Sequence, residues 1–457
     1  MLIDRMLSLL ERSCEGTFAQ SRSRQRASEL SLGTLCSYGR RTISRAICAI
    51  GRQHQDWSAD YKIYSRSPWN ADRLFDPVVE EYLRRYPRGP ISVAFDDTKL
   101  RKTGRRVRSA FWQRDPLSPP FRVNLLYALR FMQASLIFPH YREGDVSARG
   151  IPVRFVECPA VKKPGKRADE AQRRAYREAI KTHNLSRQGL EVMKGMRVRL
   201  DEMGSEDRSM LAVVDGSLCN RTIFKADLNR IELVARCRKD ARLCFPAPEG
   251  SRRLYAVERF KPEEVRQNEN IPWKRARVYF GGAWRNIRYK EVDGVLWRRG
   301  AGVKRLRLLV IAPQPYKMSP HARRLYRKPG YLLTTDTHTR PSLLIQAYFD
   351  RWQIEVNHRD EKEILGVGQA QVWSPRSVPR QPAFAVASYS LLLLAGLLEF
   401  GPRRTDHFIP LPKWRKNAKR ASALDLITLL RKEINETSVS DCLRRKIARN
   451  SISYAYT

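Results

Sequence analysis

The segment AYFDRWQIEVNHRDEKEILG, residues 347–366, combines charged and aromatic side chains at helical spacing. Tyr348, Arg351, Glu355 and Lys362 stand at offsets of 0, 3, 7 and 14 residues. At about 3.6 residues per turn, these offsets place all four side chains on one face of a helix. Two flanking cations would favour the ionised Glu355 carboxylate and could hold a phosphodiester beside it. Taken alone, the pattern equally fits a surface Arg351–Glu355 ion pair worth only about 0.3–0.5 kcal/mol.

Further carboxylates follow two apolar segments. ISVAFDD, at 91–97, ends in Asp96 and Asp97, and MLAVVDGS, at 210–217, carries Asp215. Apolar runs of this length and composition are typical of buried strands. The sequence therefore predicts two strands that each deliver a carboxylate at the carboxyl end. Similar patterns at 124–138 and 151–158 predict a meander that starts from the first of them.

The spacing of Tyr348, Arg351, Glu355 and Lys362 resembles the Tyr-Arg-Glu-Lys motif of bacterial insertion-sequence DDE transposases at all four positions. FDDTKLRKTGRR, at 95–106, is similar to the first-aspartate region of that family, and VVDGS is similar to its second. The resemblance covers roughly residues 90–400 and adds only the expectation of an N-terminal DNA-binding or dimerisation region outside that span.

The resemblance implies an α/β protein with an RNase H-like core, a mixed central sheet flanked by helices. Asp97 on the first strand, Asp215 on the fourth and Glu355 on a later helix would be the catalytic residues. Two Mg²⁺ or Mn²⁺ ions, about 3.5–4 Å apart, would be their cofactors, with Asp97 bridging both ions and the other two carboxylates each holding one. Carboxylate oxygens are ligands that both metals prefer.

The resemblance also implies that Arg351 and Lys362 bind DNA phosphates near the cut, while Tyr348 contacts the DNA or orients the helix. Asp350 and Glu361 lie off the Glu355 face, which predicts that they are solvated. His358 is one turn beyond Glu355, but the chemistry of this family does not require a histidine.

The choice between Asp96 and Asp97 depends on strand register, because neighbouring residues of a strand point to opposite faces. The resemblance places the aspartate immediately before Thr98 at the metal, which favours Asp97. Asp96 would then make a supporting contact or cap the turn. Basic residues follow directly and could hold DNA, although an exposed basic loop is the simpler interpretation: Lys99, Arg101, Lys102, Arg105 and Arg106.

Residues 1–90 show helical spacing and form the predicted N-terminal region. LSLGTLCSYGRRTISRAICAIGR resembles a helix-turn-helix whose second helix begins with Arg40, Arg41 and Arg45. These side chains suit phosphates and base edges. An ordinary pair of packed helices explains the pattern equally well.

The catalytic region is predicted at 91–400, interrupted at 250–305 by a β-rich basic insertion. Residues 251–330 hold 21 Lys+Arg against 6 Asp+Glu, an excess of 21 − 6 = +15, and aromatic residues alternate with the basic ones. This combination suits phosphate contact with base stacking, or a small sheet with its own aromatic core. Residues 401–457 are predicted to form a basic helical tail.

The overall charge is 87 − 47 = +40, which predicts a polyanionic partner. Eight cysteines form no CxxC pair, which argues against a zinc site or a disulfide scaffold. No uninterrupted apolar core of a signal peptide is present, and the apolar run at 383–400 fits a buried helix better than a membrane span. We therefore expect a bacterial cytoplasmic protein associated with the nucleoid and not with a membrane.

The leading functional hypothesis is a transposase that binds the terminal inverted repeats of its own element, cuts there and joins the 3′ ends to target DNA. The resemblance suggests a homodimer in the synaptic complex. Two alternatives remain: a non-catalytic DNA-binding regulator derived from a transposase, and a structure-selective nuclease on the same fold. No Walker A sequence, nucleotide-binding glycine motif or Ser/His/Asp constellation is apparent.

Overall fold

The computed structural model describes residues 1–115, 117–119, 121–319, 321–415 and 418–436. Residues 437–457 of the predicted basic tail lie outside the described residues. The strands form a ten-stranded mixed sheet and a separate two-stranded ribbon. They are β1 Ile91–Arg101, β2 Phe111–Arg114, β3 Leu125–Phe138, β4 Arg149–Glu157, β5 Met210–Val214, β6 Ile231–Arg236, β7 Lys274–Phe280, β8 Ala283–Val295, β9 Leu306–Ile311, β10 Pro315–Tyr316, β11 Leu325–Tyr326 and β12 Gly330–Thr334.

Helices precede the sheet and cover its faces. They are α1 Leu2–Glu15, α2 Ser21–Cys36, α3 Ile43–Ala49, α4 Ser58–Ser65, a 3₁₀ turn Ala71–Phe75, α5 Asp76–Arg85, α6 Tyr141–Gly144, α7 Glu170–Thr182, α8 Leu185–Glu202, α9 Arg221–Phe224, α10 Pro262–Gln267, α11 Pro341–Asp350, α12 Trp352–Arg359, a π-helical turn Asp360–Ile364, α13 Ser377–Phe400 and α14 Ala423–Glu436.

The centre of the sheet has the strand order β4-β3-β1-β5-β6. β3 is antiparallel to both β1 and β4, whereas β5 is parallel to both β1 and β6. β1 and β5 are therefore direct neighbours, and β5 ends just before Asp215, as predicted. The prediction that the first strand ends at its aspartates is wrong, because β1 continues past Asp96 and Asp97 to Arg101, paired with the long strand β3. The predicted fold class, a mixed sheet flanked by helices with further helices at the N-terminus, is confirmed.

The β-rich segment predicted at 250–305 contributes strands to this same sheet. Beyond β6 the order continues as β12-β9-β8-β7, with antiparallel pairs throughout. The fully buried apolar sequence LRLLVI of β9 fits a strand that is paired on both sides. β7 and β8, the strands of this segment, are thus joined through β9 and β12 to the central strands by backbone hydrogen bonds.

Each face of the central sheet has its own helices. On one face Leu344 and Ile345 of α11 pack with Val213 of β5, and Ile354 of α12 packs with Ala94 of β1. On the other face α8 packs against β3, where Gly189 approaches Met132 so closely that an added Cβ would lie 3.2 Å from its Cε.

The basic stretch at 166–203 contains two helices, α7 and α8. Asn184 separates them, and its side chain caps α8 by accepting a hydrogen bond from the backbone N–H of Arg187 (3.0 Å). α7 has no buried residue, whereas Met193 and Met196 of α8 are buried. Only the second helix therefore belongs to the packed layers.

α13 is long and apolar enough to cross a membrane, and 83% of its most apolar 18-residue window is buried inside the protein. It packs against α1, α2 and β4. Its Ser388 hydroxyl donates to Ser31 of α2 (3.0 Å). The run at 383–400 is thus a buried helix, as predicted.

Candidate active site

The aspartates lie where β5 ends beside the middle of β1. In the parallel register of these strands, Phe95 is opposite Val214. Asp96 and Asp215 are the next residue on each strand, so their α-carbons continue the same pairing. The Asp215 Oδ1 accepts hydrogen bonds from the backbone N–H and the hydroxyl of Ser217 (2.9 and 2.6 Å), which fixes the turn that follows β5.

The alternation of side chains along β1 distinguishes its two aspartates. Ala94 faces α12, so Asp96, two residues later, points to that same face. Asp97 points to the opposite face, where its Oδ2 lies 3.4 Å from Nε of Arg130 on β3. The preference for Asp97 derived from the resemblance therefore does not agree with the geometry, which places Asp96 on the face of Glu355.

Arg351 joins two of the carboxylates directly. One terminal nitrogen donates to Oε1 of Glu355 (2.7 Å), and the other lies 3.4 Å from Oδ2 of Asp96. The Arg351 side chain is only 12% exposed, so this contact is well shielded from solvent. The pair Arg351–Glu355 that the sequence also allowed as a surface ion pair is thus part of a network that reaches β1.

The surroundings disfavour ionisation of both β1 aspartates. Burial raises the pKa of Asp96 to about 7, Arg351 opposes this shift, and the charges of Asp215 and Asp97 add to it. Burial likewise raises the pKa of Asp97, with Arg130 opposing and Asp215 adding to the shift. Asp215 therefore lies close enough to both aspartates for charge repulsion, which an added cation would relieve.

The four motif residues lie on an almost continuous helix. α11 and α12 meet at Arg351, whose backbone stays helical at φ −50° and ψ −31°. Burial raises the pKa of Tyr348, and Asp215 and Glu355 are among the charges that act on it. Lys362 follows in the π-helical turn and is exposed. Although much of the side chain is exposed, the loss of water around its ammonium group lowers the pKa of Lys362. The charges of nearby carboxylates, Asp96 and Asp97 among them, act in the opposite direction.

The prediction that Asp350 and Glu361 are solvated is wrong. Asp350 is 7% exposed and accepts hydrogen bonds from Gln346 (3.0 Å) and Tyr141 (3.1 Å). Glu361 is 1% exposed, and burial raises its pKa to about 8. Asp350, at the end of α11, contacts Tyr141, and Glu361, in the π-helical turn, contacts Gln133 of β3. These partners come from elements distant in the chain, which the helical spacing alone does not reveal.

Glu361 gives a pH-dependent contribution to stability that can be tested. Its folded-state pKa of about 8 exceeds the ordinary value of 4.5, so between these values the folded protein keeps a proton that the unfolded chain releases. The free energy of unfolding therefore falls as pH rises, by up to about 1.4 kcal/mol per pH unit from this group. We expect Glu361→Gln to remove this slope and to exceed the wild type in stability above pH 5.

Urea unfolding at several pH values measures this difference. The exposed Glu363, two residues further along, supplies the control, since Glu363→Gln is expected to follow the wild-type pH dependence. Equal slopes for Glu361→Gln and the wild type would show that Glu361 is already ionised in the folded protein.

Lys102, predicted to lie in an exposed basic loop, is buried, and so is His358, for which no catalytic role was expected. Lys102 is 3% exposed, and its ammonium donates to the carbonyl oxygens of Gly368 and Ala370 (2.7 Å each), so it anchors the segment after the motif and is not part of an exposed basic loop. His358 is 8% exposed, and burial lowers its pKa to about 3, which keeps the ring neutral.

The N-terminal arginines fall into two groups. Arg40 and Arg45 are exposed beside the turn that joins α2 to α3. Arg41 turns inward: its backbone N–H donates to Gln369 (2.7 Å) and its guanidinium donates to the carbonyl of Ile364 (3.1 Å). Arg41 therefore ties the N-terminal helices to the motif segment, and these bonds would have to break before it could contact DNA.

Two of the carboxylates, Asp215 and Glu355, line a cavity of about 1010 Å³ together with Arg351. Basic side chains that the spacing of motifs did not identify line it as well: Arg236, Arg238, Lys239, Arg266 and Lys328. This concentration of positive charge suits a negatively charged polymer.

The carboxylates of Asp96, Asp215 and Glu355 are the type of ligand that a hard divalent cation takes. In the described part of the chain, no group of three or more His, Cys, Asp or Glu side chains is gathered tightly enough to hold a metal ion. The Arg351 guanidinium instead bridges Asp96 and Glu355 as an internal cation. Carboxylate oxygens that repel one another around a positive group are the ligands that Mg²⁺ and Mn²⁺ prefer.

Comparisons with known proteins give little beyond this geometry. A scan against models of protein families and a search of curated proteins both give no match. Among solved structures, the chain is similar to a piggyBac transposase synaptic complex with hairpin DNA, at 12% identity and a TM-score of 0.31. That alignment covers 99% of this chain and 75% of the other. At this level the likeness assigns no role to any residue.

Proposed function

We propose that the chain is a DNA transposase that cleaves phosphodiesters at the ends of its own element and joins the 3′ hydroxyls to target DNA. One observation carries the proposal: Asp96, Asp215 and Glu355 come from β1, the end of β5 and a helix, yet Arg351 bridges Asp96 and Glu355, and Asp215 follows the strand paired with β1 and lines the same cavity as Arg351 and Glu355. The complete Tyr-Arg-Glu-Lys spacing of the helix supports the same conclusion.

In this proposal Asp96, Asp215 and Glu355 hold the two Mg²⁺ or Mn²⁺ ions, and Asp96 takes the place first assigned to Asp97. Such ions activate the attacking oxygen and stabilise the leaving 3′ oxygen. The chain's own part is to hold the three carboxylates in place on or directly after regular elements, β1, β5 and α12. Arg351 and Lys362 would hold phosphates of the strand to be cut.

DNA is the partner that the charge supports. A net charge of +40 favours phosphate contacts that release counterions, so binding is expected to weaken steeply with salt. Arg40 and Arg45 are exposed and remain candidates for the recognition of element ends. A homodimer that brings two ends together completes the proposal.

The test uses the full chain and a plasmid that carries its own gene with the flanking sequences. We expect cleavage that needs Mg²⁺ or Mn²⁺, followed by joining of the ends to a second plasmid. Glu355→Gln is expected to lower the cleavage rate by about 10³-fold, since several kcal/mol of charge stabilisation is lost. Glu363→Gln, on an exposed residue of the following turn, is the matched control.

The alternatives predict different products. Cleavage without joined product would favour a nuclease on this fold. Tight DNA binding by the wild type with no cleavage under any divalent metal would favour a regulator and contradict the proposal.

A further inference from the structure

A second cavity, of about 800 Å³, lies on the segment between β6 and β9, away from the carboxylates. Five arginines line it and define what we call the arginine cleft: Arg242, Arg253, Arg259, Arg298 and Arg299. All five side chains are exposed. They come from two stretches of chain, 242–259 and 298–299, so folding gathers a charge that neither stretch has alone.

Backbone pairing fixes the walls of the arginine cleft. Leu243 pairs with Phe260, Cys244 with Leu296, and Pro246 with Tyr255, each in antiparallel bridges. Leu243 and Cys244 are buried at 0% and 4% exposure. The long loop after β6 is therefore anchored to the end of β8, and the arginines are held on a fixed surface.

The charges of the arginine cleft are not compensated within the protein. No carboxylate lies within ion-pair distance of any of the five arginines in the described ranges. Nearby arginines behave differently, since Arg238 pairs with Asp240 (2.7 Å) and Arg266 pairs with Glu263 (2.5 Å). Five gathered positive charges without internal partners favour binding of a polyanion.

Apolar groups stand among these charges. Tyr255 lines the cleft, and the guanidinium of Arg298 lies over its ring at 5.4 Å. Leu254 and Val257 line it as well and are 67% and 73% exposed. Apolar side chains do not contribute to the binding of phosphates. They can pack against the flat face of a base or the apolar side of a sugar.

We propose that the arginine cleft binds an unpaired DNA strand, with phosphates on the arginines and a base against Tyr255. A duplex hides its base faces by stacking, so only an unpaired strand can use both kinds of group.

The inference rests on the proposed function in taking DNA as the substrate, but it can be tested without catalysis. Fluorescence anisotropy in EDTA would measure binding of an oligothymidine of about 16 nucleotides, an upper site size for one binding module, and of a matched duplex. For Arg253→Gln with Arg259→Gln, we expect the slope of log K against log salt to fall by about 1.4 for the single strand. This corresponds to roughly 25-fold weaker binding at about 0.1 M salt.

The matched control is Arg12→Gln with Arg84→Gln, which removes the same charge from arginines already paired with Glu80 and Glu81. We expect this control to bind like the wild type. Tyr255→Leu gives an independent measurement, because loss of the ring should weaken single-strand binding without changing the salt slope.

Several results would overturn the inference. Unchanged single-strand affinity and slope in the arginine variant, or an equal loss for the control pair, would remove the arginine cleft as a site. A loss confined to the duplex would contradict an unpaired strand. If the cleft variants lose binding but the wild type never cleaves DNA, the arginine cleft stands and the proposed function fails.

Discussion

Asp96→Asn is expected to lower metal-dependent DNA cleavage by about 10³-fold or more while DNA binding persists. The reason is position: Asp96 lies beside Asp215 in the strand register and shares the Arg351 guanidinium with Glu355. An asparagine of the same shape keeps the fold but loses the charge. Cleavage of an end-labelled substrate, with binding measured separately in EDTA, gives both quantities.

Asp97→Asn is the internal control for that result. Asp97 contacts Arg130 on the other face of the sheet, so we expect its variant to retain cleavage within about tenfold of the wild type. The reverse outcome, with Asp97→Asn inactive and Asp96→Asn active, would restore the assignment that the family resemblance favoured. It would also mean that the end of β1 reorients when DNA or metal binds.

Arg351→Met is expected to have opposite effects on the metal-free and the metal-bound protein. Without the guanidinium, Asp96 and Glu355 lose their shared cation, and the metal-free protein should lose about 1–3 kcal/mol of stability, less than a fully buried pair would cost. A divalent ion would then not have to displace Arg351. Mn²⁺ should therefore raise the melting temperature more in the variant than in the wild type.

Thermal unfolding in EDTA and across a Mn²⁺ titration checks this expectation. Arg359→Met is a suitable control, because Arg359 pairs with Asp360 outside the carboxylate group and is 59% exposed. A Mn²⁺-dependent stabilisation in Arg351→Met that is equal to or smaller than that of the wild type would contradict competition between Arg351 and the metal. We expect cleavage to fall as well, since the proposed phosphate contact is lost.

The sequence predicted which residues form the site better than it predicted how deeply the neighbouring side chains are buried. The two strands that carry or precede the aspartates and the helical motif were predictable, because apolar runs and helical spacing are local signals. The continuation of β1 to Arg101 was not, because it depends on pairing with β3. The wrong prediction for Glu361 and the buried position of Lys102 have a common cause. Both side chains are covered by segments distant in the chain, which local spacing does not report.

Which of the two adjacent aspartates lies on the face of Glu355 depends on distant contacts. The pairing of Phe95 with Val214 and the packing of Ala94 with Ile354 of α12 show that it is Asp96 that lies beside Asp215. That register is set by β5, more than a hundred residues downstream. The sequence did contain a signal for the face of each aspartate. Along β1 the small Ala94 alternates with the larger Val93 and Phe95, which pack in the main core. Alternation therefore places Asp96 on the face of Ala94, away from that core.

The continuous sheet has a consequence for how this protein unfolds. β7, β8 and β9 are hydrogen-bonded through β12 to the strands that carry the aspartates, so the basic segment does not form a separate cooperative unit. Amide hydrogens of β9 and β12 should exchange only in the same global opening that exposes β1 and β5. The arginine cleft and the carboxylates would thereby share one folding equilibrium.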